Sequence, residues 1–498
     1  MIENILQGFV VCFQPSCILF LLTGVVMGVL VGAIPGINDT LLISLLGPVV
    51  MYLPLETGFL WLAAIYCAAI YGGSITAILF RTPGTPAAAC TVFDGYELTK
   101  KRQAGKALNV AILSSAIGGI LSVIVLMTFS PILAKAALQF GPPEYFSLAI
   151  LGLSVASSLV VKSAIKGTLS MLIGLFIATI GMDPRIGVPR FTFGSNFLLS
   201  GVQFIPVIIG IFAIGEIFYQ TDKIKEEKSI GKTAEISQLL SLKEFKGILP
   251  TIIKSSGIGT IVGALPGAGA TIAAFLSYGV AVRSSKHPEK FGTGILEGVA
   301  APEAANNAST GGAMIPLISL GIPGGSTTAI LLTMLLMRGL HPGPRIFLEQ
   351  PHFVYTLFAG MFIANLFMLP FGISFIKLFV KILKVSKKMV YPVIFFIGTI
   401  GTYALRSNFM DIWVMFTMGI IGYLMRKYEY PESPLILGLI LGSIAEINLR
   451  TSLLMFKSPS IFFARPISGV LLIVGISLYL FPLVRNYLIY KKSSNIMS

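Results

Sequence analysis

The chain has 498 residues, of which 55% are hydrophobic and 11% charged, with a formal net charge of +15 and a mean hydropathy of +0.87. Soluble domains carry about 25% charged residues, so this composition excludes a soluble enzyme and marks an integral membrane protein. Its positive charge does not indicate nucleic acid, because it gathers in short loops: Lys100 to Lys106, Lys223 to Lys246, Arg283 to Lys290, Lys377 to Lys388, and Arg426 with Lys427.

In chain order, the first 16 residues lack a basic region and a small-residue cleavage site, so no removable signal peptide is expected. Uncharged runs follow at Cys17 to Asn38, Ala107 to Ala134, Phe191 to Gly215, Phe353 to Ile376 and Pro466 to Val484. With shorter runs they predict an all-α polytopic fold of about 12 transmembrane helices of about 20 residues each. Residues 1–220 form a first transmembrane half, 221–246 a polar cytoplasmic connector, and 247–498 a second half. The four cysteines (Cys12, Cys17, Cys67, Cys90) lie in or beside apolar runs without metal-ligand spacing, and suggest no disulfide frame.

The two halves share a pattern. Aligning Pro35 of CILFLLTGVVMGVLVGAIPGINDT with Pro266 of GIGTIVGALPGAGATIAAF also aligns Gly28 with Gly259, Gly32 with Gly263, Gly36 with Gly267, and Thr40 with Thr271. Further on, YGGSITAILFRTPG, ending at Gly84, parallels TGGAMIPLISLGIPG, ending at Gly324, with Pro83 on Pro323. Two Gly/Pro-broken elements in one order point to a duplication. After the first break, half one turns at Pro54 to Gly58 without a basic residue, whereas half two turns at the basic Arg283 to Lys290; after the second break the bias reverses. By the positive-inside rule, equivalent loops then lie on opposite sides, so the repeats are expected to be inverted, with discontinuous or re-entrant helices near the midplane, as in secondary transporters.

From Ala304 to Met337 no residue is charged, yet Asn306, Asn307, Ser309, Thr310, Pro316, Pro323, Gly324, Gly325, Ser326, Thr327 and Thr328 fall inside the stretch. Proline breaks the backbone ladder, and such a segment survives at membrane depth only where it faces a cavity. Pro35–Gly36, Pro83–Gly84, Pro266–Gly267 and Pro323–Gly324 each expose helix-end amides that attract anions and carbonyls that attract cations; packing kinks are the bland alternative. Asn38, Thr40, Ser74, Gly269, Thr271, Asn306, Asn307, Ser326 and Thr327 lie close enough in sequence to share a substrate site with them. Glu303, Asn306, Asn307 and Thr310 follow i, i+3, i+4, i+7 spacing and share a helix face; a carboxylate there could carry a coupling proton or help hold Na⁺. Asp39 and Arg81 each sit beside a break, where charge is costly. They are expected either to pair with each other, or to divide the work, with Arg81 on a substrate carboxylate and Asp39 on the cation.

Enzymatic parts are missing. There is no HExxH, the three histidines (His287, His341, His352) fall in predicted loops, and no GxxxxGK[ST] exists to bind a nucleotide, so no cofactor is expected. The competing readings are a passive anion channel and, more remotely, an intramembrane enzyme.

These residues resemble the large membrane subunit of the tripartite tricarboxylate transporters, the TctA family. The matching stretches are GALPGAGATIAAFLSYGVAVRSSKHPEKFGTGILEGVAAPEAANNASTGGAMIPLISLGIPGGSTTAILL and GLHPGP. Half one adds YGGSITAIL with PG and DGYELTKKRQAGKAL, and LGSIAEINLR and FFARPIS are similar too. The resemblance implies import of a di- or tricarboxylate or related organic anion across the bacterial inner membrane, coupled to Na⁺ or H⁺. It also implies two partners, a small membrane subunit and a periplasmic solute-binding protein. Where the family pattern reads close to PGLGP and N-x-PGE, this chain has ProGlyIleAsnAsp and ArgThrProGlyThr. Asp39, Arg81 and Thr85 are therefore departures that bear on which anion is carried.

Overall fold

The computed structural model describes residues 2–34, 37–158, 164–223, 240–267, 269–374 and 387–480. They are almost wholly helical; their one sheet is a hairpin of β1 (Gly181–Met182) and β2 (Pro189–Arg190). The helices up to the hairpin are α1 (Ile2–Cys12), α2 (Pro15–Gly32), α3 (Asp39–Val50), α4 (Leu55–Phe80), α5 (Ala88–Lys100), α6 (Ala104–Ala137), α7 (Pro142–Ser158) and α8 (Ala164–Ala178). After it come α9 (Phe204–Asp222), α10 (Leu242–Ala264), α11 (Gly269–Ser284), α12 (Leu296–Leu320), α13 (Ser326–Met337), α14 (Pro351–Ser374), α15 (Lys387–Arg406), α16 (Phe409–Lys427), α17 (Glu432–Phe456) and α18 (Pro466–Leu480).

Among the described residues eight helices are long and apolar enough to cross a membrane: α2, α4, α6, α9, α10, α14, α16 and α17. That is fewer than the twelve expected, for physical reasons. The 25-residue α12 is too polar, and α3 and α13 are short apolar helices rather than full spans, while α8 and α18 each adjoin residues outside the description. The stretch read as a connector also ends early. Ser241 and Glu244 form a capping box, in which Ser241 N–H donates to Glu244 Oε2 (2.9 Å) and Glu244 N–H to Ser241 Oγ (3.3 Å), so α10 begins at Leu242.

Small residues set how the long helices approach. Gly24, Gly28 and Gly32 recur every fourth residue on α2 and face α4, where a Cβ on Gly28 would lie 2.8 Å from Ala68 Cβ and one on Gly32 2.3 Å from Ala69 O. Gly259 and Gly263 of α10 meet α12 in the same manner, with built Cβ atoms 2.3 Å from Ala305 O and 2.5 Å from Ser309 O. Without a hydrophobic force between apolar helices in lipid, such close backbone contact supplies the association. In both pairs the numbering rises together, so α2 runs parallel to α4 and α10 parallel to α12. The helices α4 and α12 run antiparallel, since Asn307 Nδ2 donates to Cys67 O (3.0 Å) and Ser74 Oγ to Glu303 Oε1 (2.6 Å).

The short helices pair off across the two parts of the chain. At the start of α3 and α13, Thr40 and Thr327 share a hydroxyl hydrogen bond of 2.7 Å. At their far ends Arg338 donates to the carbonyls of Met51 (2.9 Å) and Leu53 (3.0 Å). In the same way α5 lies beside α11: Tyr278 donates to Asp94 Oδ2 (2.9 Å), and Lys101 reaches Thr293 O (2.6 Å). The loop after α3 therefore sits with the loop after α13 at one end of the bundle. The basic loops after α5 and α11 sit together at the other.

Candidate functional site

All four short helices begin at one place, a cavity of about 230 Å³ in the middle of the bundle. Asn38, Asp39 and Thr40 line it from the start of α3, Thr85, Pro86 and Ala87 from the approach to α5, Gly267, Gly269, Ala270 and Thr271 from the start of α11, and Gly324, Gly325, Ser326 and Thr327 from the start of α13. Asn306, Ser309 and Ala313 of α12, Tyr66 and Ile70 of α4, Gly263 of α10, Phe212 of α9, and Glu432 with Ser433 of α17 complete the wall.

The breaks are held by backbone packing. Gly84 lies where a Cβ would be 2.7 Å from Gly32 O and from Gly73 Cα; at Gly324 a Cβ would be 2.8 Å from Gly263 O and from Ala313 Cα. Gly267 has φ +81°, and its N–H donates to Gly324 O (2.9 Å), tying the third break to the fourth. These glycines are required by contact, and in Gly267 also by conformation.

Among the described residues no lysine or arginine lines the cavity. Each helix start instead presents the positive end of a dipole equivalent to roughly half a charge. Three of them are capped in part: Leu41 N–H donates to Asn38 Oδ1 (2.9 Å), Ala88 N–H to Thr85 Oγ1 (3.3 Å) and Gly325 N–H to Thr328 Oγ1 (2.9 Å). Asn306, only 1% exposed, has neither its amide nor its carbonyl paired, so its side chain offers both a donor and an acceptor at the cavity wall. The acidic groups are Asp39, which accepts from Thr327 Oγ1 at 2.5 Å, and Glu432, which pairs with Arg426. Arg426 also pairs with the buried Glu216, so Glu432 belongs to a half-buried ion triad. Phe212, which lines the wall, lies within a π-helical segment, Ile209–Ile214.

Of the residues expected here, Asn38, Asp39, Thr40, Gly267, Gly269, Thr271, Asn306, Gly324, Ser326 and Thr327 line the cavity. Pro35 and Gly36 lie outside the described residues. Pro83, Gly84, Pro266 and Pro323 belong to the breaks without lining the cavity. Asn307 points to Cys67 O, and Thr310 Oγ1 donates to Asn307 O within its own helix (2.8 Å). Ser74 faces Glu303 rather than the cavity.

Arg81 is placed differently from both expectations. It is exposed, ends α4 in a left-handed conformation (φ +57°), and lies over the Tyr96 ring at 6.0 Å, while Asp39 is bonded to Thr327. No ion pair joins Asp39 to Arg81 among the described residues. Its backbone closes the helix there, which a charged side chain in the sequence does not announce.

Thr85, Ser309 and Gly325, singled out in the sequence, also line it, whereas Tyr66, Phe212, Glu432 and Ser433 were not anticipated. Glu432 had a signal, an acid after Pro431 at the head of an apolar run. Phe212 had none, being one aromatic in an apolar stretch.

The model of the family described as the tripartite tricarboxylate transporter TctA family matches residues 18–437. A protein of Agrobacterium vitis described as an uncharacterized 52.8 kDa protein in the TAR-I ttuC' 3'region is 36% identical over 490 residues, 98% of this chain and 97% of its own. A second, from the TAR-II ttuC' 3'region of the same organism, is 35% identical over 232 residues, 46% of this chain and 96% of its own. No solved structure matches the chain.

Proposed function

The chain belongs to the tripartite tricarboxylate transporter TctA family, and on that premise we propose that it imports a di- or tricarboxylate or related organic anion through this cavity, coupled to Na⁺ or H⁺. The observation that carries the reading is the meeting of four helix starts at one cavity, with no basic side chain in its wall among the described residues. Such a site holds an anion by backbone amides and hydroxyls, tightly enough to select it and weakly enough to release it. Asn306, buried and unpaired, is the side chain whose hydrogen bonds the anion completes.

Two further features support the transport mechanism. The α3/α13 pair leads from the cavity to one end of the bundle and the α5/α11 pair to the other, as two inverted repeats require. The basic loops after α5 and α11, joined by Lys101 to Thr293 O, and the start of α10, where Glu244 pairs with Lys106, gather at the α5/α11 end, which we assign to the cytoplasm. The anion then enters from the α3/α13 end at the bacterial inner membrane, handed over by a periplasmic solute-binding protein, with a small membrane subunit alongside. Asp39 in the cavity wall and Glu303 one turn from Asn306 are the carboxylates available to the coupling cation.

The test is a thermal-shift screen of the purified chain against carboxylates of one, two and three acid groups. At least one is expected to raise the unfolding temperature of the wild type and to leave Asn306→Leu unmoved. Equal shifts in both proteins would remove Asn306, and with it the cavity, from the anion site.

A further inference from the structure

Glu303 sits on α12 one turn before Asn306, is fully buried, and has no cationic partner among the described residues. Its two carboxylate oxygens are instead wrapped by hydroxyls from three helices of the other half. Ser74 of α4 donates to Oε1 at 2.6 Å, Thr91 of α5 donates to the same oxygen, and Ser115 of α6 donates to Oε2 at 3.0 Å. A carboxylate at such depth without a counter-ion is costly, and it is kept only where function needs it.

From this cage we propose that Glu303 is the proton-carrying group of the transporter, and that H⁺ is a coupling ion. The inference rests on the transport reading above and names its ion. A sodium ion would need several oxygens around it with room at their centre, but here the hydroxyls of Ser74, Thr91 and Ser115 close directly onto the carboxylate. A proton needs no added volume. Each hydroxyl donates to the carboxylate, and by rotating about its C–O bond it accepts from the carboxylic acid, so the same cage satisfies both forms. The step is a simple transfer: a proton binds one Glu303 oxygen, the charge is neutralised, and one hydroxyl turns from donor to acceptor.

The cage also lies where a charge change is felt by both halves. It joins α12 to α4, α5 and α6, and α12 carries Asn306 into the cavity one turn away. The other titratable groups nearby are Tyr71 on α4, Cys90 on α5, and Asp94, one turn beyond Thr91 on α5. Tyr71 is fully buried with its hydroxyl unpartnered, and lies within electrostatic reach of Glu303. Asp94 accepts from Tyr278 and from the N–H groups of Gly294 (2.8 Å) and Ile295 (3.0 Å) at the basic end. Thr91 and Asp94 lie one turn apart on α5, so the cage adjoins the elements of that end.

The experiment is infrared difference spectroscopy of the purified, lipid-reconstituted chain as pH is stepped, which needs no substrate. A carboxylic-acid C=O band is expected to grow on acidification in the wild type, to be absent in Glu303→Gln, and to titrate at a different pH in Ser115→Ala, which removes one donor to the charged form. Persistence of the same band in Glu303→Gln, or its absence from a folded wild type, would overturn the proposal. If Glu303→Gln does not fold, an unmoved titration in Ser115→Ala overturns it equally. Gradient-driven uptake that follows Na⁺ and ignores pH would also overturn it while leaving the transport reading in place; absence of any uptake would strike the transport reading instead.

Discussion

Arg81 and Gly321 hold the same turn at the ends of the two long broken helices, α4 and α12, with φ of +57° and +72°. Past each, the next amide donates back into the helix, Thr82 to Thr76 O (3.3 Å) and Ile322 to Pro316 O (3.2 Å). One half closes this turn with glycine, which accepts left-handed backbone freely, and the other with arginine, for which it costs about 1–2 kcal/mol.

Arg81→Gly is therefore expected to be more stable than Arg81→Ala by about 1 kcal/mol, since both lose the Tyr96 contact and only glycine relieves the backbone. Both variants should keep transport. Thermal unfolding in detergent measures the first and uptake the second; loss of uptake in Arg81→Gly would return this residue to the substrate.

The glycines of the breaks separate into two kinds. A methyl at Gly324 would meet backbone atoms 2.8 Å away that cannot move aside, whereas at Gly269 (φ +69°) nothing lies within 4 Å. Gly324→Ala should cost about 1–3 kcal/mol by overpacking and abolish uptake. Gly269→Ala should carry only the cost of its backbone conformation and retain uptake. Quantified membrane expression together with uptake distinguishes the two, and equal behaviour would contradict the packing described.

The hairpin at the non-basic end is pinned by Asp183. Its carboxylate accepts from the N–H groups of Arg185 (2.9 Å) and Ile186 (3.1 Å) and from Arg450 (2.6 Å), which together hold its pKa at about 2. A depressed folded-state pKa gives stability that is present above the ordinary aspartate value of about 3.9 and is lost as pH falls toward 2. Pepsin cleavage between β1 and β2 should accelerate through that window in the wild type. In Asp183→Asn the cleavage should be faster at pH 4 and lack the added pH dependence.

Topology gives a fourth test. Tyr52 is 71% exposed at the end shared by α3 and α13, and Lys286 is exposed at the end shared by α5 and α11. Cysteines at these two positions should react with an impermeant reagent from opposite sides of the membrane, against a background of four buried native cysteines. Labelling of both from one side would contradict the inverted arrangement.

Much of the site could be read from residue order because its determinants are local. Glycine every fourth residue at Gly24, Gly28 and Gly32, and again at Gly259 and Gly263, states close helix contact, and the Pro-Gly pairs state where a helix must stop. What was hidden depends on three-dimensional convergence. Ser74, Thr91 and Ser115 are ordinary membrane-helix hydroxyls until three helices bring them to Glu303. Glu432 and Phe212 reach the cavity from outside the paired elements, where no repeat points to them. Arg81 misleads for a different reason: its charge draws notice, while its backbone conformation, which sequence does not display, explains its position.

The measurement that bears most directly on the account is uptake by cells in which the chain is expressed with a small membrane subunit and a solute-binding protein. The labelled carboxylate is the one that stabilises the purified chain, and a proton or sodium gradient is imposed or collapsed. The account predicts saturable accumulation against the anion's own gradient, lost when the driving gradient is dissipated and lost in Asn306→Leu. Flux that never saturates, ignores both ion gradients and persists in Asn306→Leu would contradict it.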